Sequence, residues 1–170
     1  MDTYLAVASK RDWRSYAGRP IPEDVLTRIL DAGRVSGSGS NKQPWRFVVV
    51  ESEEWKQSLA PTVYVPANVA TAAIAVAIVT EGGGRAYDVG RATQNMMLAA
   101  WNDGVVSCPN GMPDPAETAD ALGLEGDLLP VIVLSFGYSR RELAPESKNA
   151  GDWSAEANRL ALDELVVRRD

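Results

Sequence analysis

Two stretches of this sequence carry groups suited to binding a polar, anionic ligand. The first is Lys10-Arg11-Asp12-Trp13-Arg14-Ser15-Tyr16, with three cations inside five positions and an aromatic among them. Such a group could clamp a phosphate, and Arg14 could fork to or stack on a planar polar group. A solvated basic stretch is the plainer reading, since charge runs usually face water, and Asp12 weakens an anion site. The second is Ser36-Gly37-Ser38-Gly39-Ser40-Asn41-Lys42-Gln43-Pro44-Trp45. Small residues let a ligand approach the main chain, and a loop of this kind leaves backbone N–H groups without obvious partners. Asn41, Lys42 and Gln43 add side-chain hydrogen-bonding groups. By composition alone the same loop also reads as an ordinary helix-to-strand connection.

The residue inventory excludes other chemistries. Histidine is absent, so a Ser-His-Asp or Cys-His arrangement cannot form, nor can a zinc site built on His. One cysteine, Cys108, rules out an intrachain disulfide framework and suits a reducing cytoplasm. No metal site is expected. The net charge of −6 argues against non-specific nucleic-acid binding. No apolar run approaches the ~20 residues that span a bilayer; the longest candidate, 69–79, is short and Ala-rich. The start, Met1-Asp2-Thr3, is acidic and unlike a secretory leader. These features predict a cytoplasmic chain without membrane association. An enzyme of this composition would draw its chemistry from a bound cofactor or from Asp, Glu, Lys, Arg or Tyr.

The elements around these stretches follow from periodicity. At 170 residues one domain with a real core is expected. Asp2 is placed to cap a short helix to about Ser9. Pro22 suits a first helical position, and Val25, Leu26, Ile29 and Leu30 form an apolar face to Arg34. The glycine/serine loop then leads into a β-branched strand, Arg46-Phe47-Val48-Val49-Val50. A helix capped by Ser52 runs to about Leu59, and residues 62–73 are ambiguous. A buried strand over 74–79 and a loop over 81–85 follow; the triple glycine there is a weak match to a phosphate loop. The strongest helix covers 87–102, with Met96 and Met97 on its apolar side, and Gly104 closes it. Further expectations are a strand over 105–108, a rigid turn over 109–113, a helix over 115–122 and a strand over 130–137. A charged helix over about 155–169 ends the chain. The pattern is α+β with one central sheet.

Taken together, these motifs resemble the nitroreductase family. The Lys10 to Tyr16 stretch is similar to that family's basic opening motif. The stretch Ser36 to Trp45 with Phe47-Val48-Val49 is similar to its Asn-x-Gln-Pro-Trp loop and strand. Asp88-Val89-Gly90, Gln94-Asn95-Met96-Met97-Leu98-Ala99-Ala100 and Gly104 resemble its central helix, and residues 130–137 its late strand. The resemblance implies a three-layer fold: a central mixed, mostly antiparallel sheet flanked by helices, in an intertwined homodimer with residues 153–170 as a dimer arm. It also implies FMN at the dimer interface. Lys10, Arg11, Asp12 and Arg14 would lie at the phosphate or pyrimidine end. Ser36, Gly37, Ser38, Gly39 and Asn41 would come from the opposite subunit. Pro109, Asn110 and Gly111 would pass the flavin's reactive face, and Lys148, or Arg140 and Arg141, would add charge at the phosphate. No protein side chain is expected to be catalytic, because hydride chemistry belongs to the flavin. The implied activity is NAD(P)H-driven reduction of a nitroaromatic, quinone or related acceptor; a flavin-binding protein without turnover is the alternative. Two departures stand out. Asp12 replaces a usual Ser, which is repulsive toward phosphate unless Lys10 or Arg14 pairs with it. Gly37 replaces a usual Pro. The 51–88 region is also short, which implies a more exposed flavin.

Overall fold

The computed structural model describes residues 1–169. The chain divides into two compact units, one of residues 11–143 and one of residues 1–10 with the chain from Ala144 onward.

The larger unit is built on a five-stranded sheet. Its strands are β1 (Tyr16–Ala17), β2 (Arg46–Val50), β3 (Ile74–Glu81), β4 (Val105–Asn110) and β5 (Leu128–Ser139). Strand β5 is the hub. Phe136 pairs with Ile74 of β3 and Ser107 of β4, and Tyr138 pairs with Ala17 of β1 and Val105 of β4. A strand residue has two hydrogen-bonding edges, so β4 takes one edge and β3, then β1, the other. These ladders are antiparallel, and β2 continues the sheet from β3. A single parallel bridge, Asp12 to Ser107, lies on the outer edge of β4.

The helices of this unit are α2 (Glu23–Arg34), α3 (Glu53–Leu59), α4 (Pro66–Ala70), α5 (Ala86–Asn102) and α6 (Pro115–Ala121). They form two layers because β3 is buried on both faces. Ile74, Val76 and Ile78 pack with Val25, Leu26 and Ile29 of α2 and Val89, Met96 and Met97 of α5. The alternate residues Ala75, Ala77 and Val79 pack with Leu59, Val63, Val69 and Leu122 on the other side. Gly33 is the contact point of α2: a side-chain carbon there would stand 2.8 Å from the Met96 sulfur and the Phe47 ring.

Three expectations need correction. The two-residue β1 was not foreseen, because two residues carry no periodicity. The turn expected from Pro109 begins two residues later, and Pro109 and Asn110 continue β4 opposite Leu134 and Val133. A longer β5 offers them partners, and an edge strand tolerates a proline that cannot donate. Pro130 likewise sits beside the register shift between Ile78 and Val79.

The third correction concerns the smaller unit. The single helix expected over 155–169 is replaced by α7 (Ala150–Ala155) and α8 (Leu162–Leu165). Residues such as Leu160, Leu162, Leu165 and Val167 have exposed side chains, so no packed face supports a long helix. In the same unit α1 (Thr3–Ser9) is capped by the Asp2 carboxylate, which accepts from the Tyr4 and Leu5 N–H groups. No helix among the described residues is long and apolar enough to cross a membrane.

Candidate functional site

The end of β4 is fixed by a buried polar network. Asn110, 4 % exposed, donates toward the Cys108 and Val133 carbonyls and the Ser135 hydroxyl at 3.0–3.1 Å. Its own carbonyl accepts from the Asn68 amide of α4 at 2.8 Å. The Ser135 and Tyr16 hydroxyls share a 2.7 Å hydrogen bond, and the one remaining hydroxyl proton serves either the Cys108 carbonyl, 3.2 Å from Ser135, or the Trp13 carbonyl, 2.9 Å from Tyr16. Burial pushes the Tyr16 phenol well above its ordinary pKa, against the Ser135 hydrogen bond. Gly137 makes room for the ring, since a side-chain carbon there would lie 2.7 Å from it. A buried network with this many polar partners rigidifies what it touches, and here that is the main chain entering Gly111.

Arg14 reaches the same place from the basic stretch. Its exposed guanidinium has its pKa raised by the neighbouring Cys108 side chain and, to a smaller degree, by the Asp12 carboxylate. Asp12 therefore acts as a counter-charge to Arg14 beside β4. The Trp13 N–H donates to the Ser107 carbonyl at 2.9 Å, so the stretch is docked along a strand edge. On the opposite flank, the Tyr64 N–H donates to the Gly111 carbonyl, and a side-chain carbon on Gly111 would stand 3.3 Å from the Tyr64 ring. Gly111 and Tyr64 thus stand together beside the Asn68–Asn110 pair, and Arg14 lies near Cys108 of the same strand. A bare glycine main chain, a guanidinium and a ring suit a flat ligand with anionic groups, which FMN is.

The glycine/serine loop is organised by α5. Asp88, Arg91 and Asn95 repeat at helical spacing and meet it in turn. The Asn95 amide donates to the Ser36 hydroxyl at 2.7 Å, and that hydroxyl donates to the Ala32 carbonyl of α2. The Arg91 guanidinium occupies the space a side chain at Gly37 would take. The Asp88 carboxylate accepts from the Gly39 N–H at 3.1 Å. The Ser38 hydroxyl accepts from the Gln43 N–H at 2.8 Å. Ser40, Asn41 and Gln43 all hold positive φ, from 47° to 54°, a region that L-residues adopt at a cost. Such strain persists where surrounding bonds impose it.

The expected site residues therefore fall into separate groups. Pro109, Asn110 and Gly111 lie at the end of β4 with Arg14 near Cys108, while Ser36, Gly37 and Gly39 meet α5 and Ser38 and Asn41 bond within the same loop. The Asn110 side chain is consumed by the core, leaving its main chain and that of Gly111 to face a ligand. Lys10 and Lys148 belong to the smaller unit, where the Lys148 ammonium pairs with the Glu156 carboxylate at 2.7 Å and lies 5.1 Å from the Trp153 ring. Sequence reasoning missed Tyr64, Asn68, Ser135 and the Asp88–Arg91–Asn95 latch. The i, i+3, i+7 spacing of the latch on the strongest helix was the available signal. Tyr64 and Asn68 lie in the ambiguous 62–73 segment and gave none.

Known proteins resemble this chain in sequence and fold. The family model described as "Nitroreductase family" matches residues 7–83 and 81–138. A protein of Methanothermobacter thermautotrophicus with the provisional name NADH dehydrogenase/NAD(P)H nitroreductase is 26 % identical over 148 residues, covering 81 % of this chain and 78 % of that one. A nitroreductase family protein from Clostridium difficile 630 superposes with TM-score 0.83 at 23 % identity, covering 100 % of this chain and 99 % of the other. An FMN complex of a provisionally named nitroreductase from Desulfovibrio desulfuricans gives TM-score 0.82 at 23 % identity, over 100 % and 98 % of the two chains. With the fold matched from end to end and the family model spanning most of the sheet and both helical layers, the chain belongs to the nitroreductase family.

Proposed function

We propose that this protein is an FMN-dependent oxidoreductase that uses NAD(P)H to reduce a small aromatic acceptor such as a nitroaromatic or quinone. The observation that carries the reading is the end of β4, where the buried Asn110 network holds the bare main chain of Gly111, whose carbonyl accepts from the Tyr64 N–H. FMN bound there would supply the redox chemistry, taking two electrons as hydride from the nicotinamide and passing them to the acceptor in turn through one pocket.

The chain's own residues supply position and charge. A guanidinium such as Arg14 would stabilise negative charge on the reduced ring or on the phosphate. Arg11 adds a second cation, and the resemblance adds Lys10 and Lys148 to the phosphate's partners. Asp12 balances Arg14 so that the site is not overcharged when empty. The Asn110 network fixes the Gly111 main chain, and a fixed N–H needs no reorganisation during the reaction.

In this reading the active unit is a homodimer working in the cytoplasm. The outer face of α5 carries Tyr87, Gly90, Arg91 and Gln94 along an open groove, and Tyr87 is 80 % exposed. A second copy on that face would bring the latched 36–43 loop to the partner's flavin. The exposed tail apolar residues Leu160, Leu162, Leu165, Val166 and Val167 suit an arm that covers the partner. A truncation after Asp152 that stays dimeric would count against the arm.

The test is spectroscopic. Purified protein, loaded with FMN if necessary, is expected to show flavin bands that bleach on anaerobic addition of NADPH or NADH. Bound flavin that never bleaches would leave a flavin-binding protein without turnover. No uptake of FMN would sink both readings.

A further inference from the structure

We propose that Arg91 is a phosphate-binding guanidinium of the cofactor site, and that residue 37 is glycine so that this guanidinium can stand over the loop; this rests on the flavin and dimer reading above. The ligand chemistry is a phosphomonoester, which FMN carries at its 5′ end and NADPH at its 2′ position.

Gly37 is the first observation. It does not hold positive φ, unlike Ser40, Asn41 and Gln43 of the same loop, so backbone conformation does not demand a glycine there. Space does. The three atoms nearest to a side-chain carbon at this position all belong to the Arg91 guanidinium, and Nη2 would overlap it. The cation is thus seated on the main chain of the loop, although Arg91 as a residue is exposed.

No acidic partner meets that cation. No hydrogen bond or ion pair of Arg91 appears among the described residues. Asp88, one turn earlier on α5, is buried, and its carboxylate accepts from the Gly39 N–H at 3.1 Å. The groove of about 620 Å³ beside Arg91 is lined by Ala86, Tyr87, Gly90, Gln94 and Asn95, and none of these is acidic. In a two-fold dimer built on this face the same groove meets itself, so the second copy of the groove brings no carboxylate either. The Gly37 and Ser38 N–H groups also have no partner among the described residues. A guanidinium with free main-chain N–H groups beside it is a donor set that a phosphate takes.

The closing experiment uses the full-length protein, freed of flavin in one arm and FMN-loaded in the other. The first arm measures Kd for FMN and for riboflavin, which lacks the phosphate. The second measures Kd for NADP+ and for NAD+. Arg91→Gln is expected to weaken the phosphorylated member of at least one pair about 5- to 10-fold and to leave the other member unmoved. The pair that responds identifies the phosphate. Gly37→Ala keeps the charge but pushes the flexible guanidinium aside, and a smaller loss is expected in the same pair. Because Arg91 is exposed, its replacement removes no core packing. Unmoved ratios in both pairs, in a parent that binds FMN, overturn the proposal and leave the flavin reading standing. Equal losses for both members of a pair, or a changed oligomeric state, overturn it in favour of a ring or subunit contact. Parent-like binding by Gly37→Ala overturns the role given to Gly37. A parent protein that takes up no FMN overturns the flavin reading and this proposal together.

Discussion

The end of β4 and the glycine/serine loop present main-chain groups to the same proposed cofactor by opposite means. At β4 the polar side chains Asn68, Asn110, Ser135 and Tyr16 are all buried and paired with one another. The backbone there is ordinary strand. In the loop the main chain itself is strained, with three non-glycine residues at positive φ, and only a few bonds to α5 hold it. A buried network gives rigidity and is costly to break. A latched loop gives access and has little redundancy.

The contrast would be broken first by Asn110→Ala. It leaves the Cys108, Val133 and Ser135 acceptors poorly paired, and a loss of about 3 kcal/mol is expected in urea unfolding. A loss below about 1 kcal/mol would mean that the network is decoration. Tyr16→Phe is the next largest, at about 1–2 kcal/mol. It also tests a pH effect. The folded phenol has its pKa raised above the unfolded value, so its contribution is complete below the unfolded pKa of about 10. That contribution is lost as pH rises through the folded pKa. Stability of the parent should therefore fall in the alkaline range more steeply than that of Tyr16→Phe.

Two predictions sharpen the loop side. Asp88→Ala removes the acceptor for the Gly39 N–H, and a loss of about 1 kcal/mol is expected. FMN affinity should fall by more than this small change in stability suggests, because the loop rather than the core is released; equal effects on both would erase the distinction. Ser40→Gly gives the smallest change. Relief at φ 52° offsets the added freedom of the unfolded chain, so stability should stay within about 1 kcal/mol of the parent. A large loss in thermal melting would show that the Ser40 side chain carries the loop.

Much of the frame was legible because local patterns and tertiary burial agree. Val25, Leu26 and Ile29 marked the inner face of α2. Ser52 marked the start of α3, and the apolar side of α5 was correctly seen. The tail failed for the converse reason: its leucines looked like a helical face, but their side chains are exposed within the chain, and short helices without packing do not propagate. In the site, Arg14 and Gly111 were both expected, and Arg14 lies near Cys108 in the strand that leads to Gly111. The cross-bracing by Asn68 and Ser135 was invisible, since each contact joins residues tens of positions apart.

By itself the sequence determined which chemistries are closed to this protein and which family motifs it carries. Without histidine and with one cysteine, the protein has neither a triad nor a zinc centre made from these side chains. Its collinear motifs placed the basic stretch, the loop and the central helix. Only the tertiary structure decided what those residues touch. Asn110 turns inward, Arg14 meets Cys108, Arg91 fills the space over Gly37, and Tyr64 leans on Gly111. The reason is physical. Residue type and spacing set local conformation and chemical capacity. The pairing register of β4 with β5 and the packing of two helical layers set distance and direction.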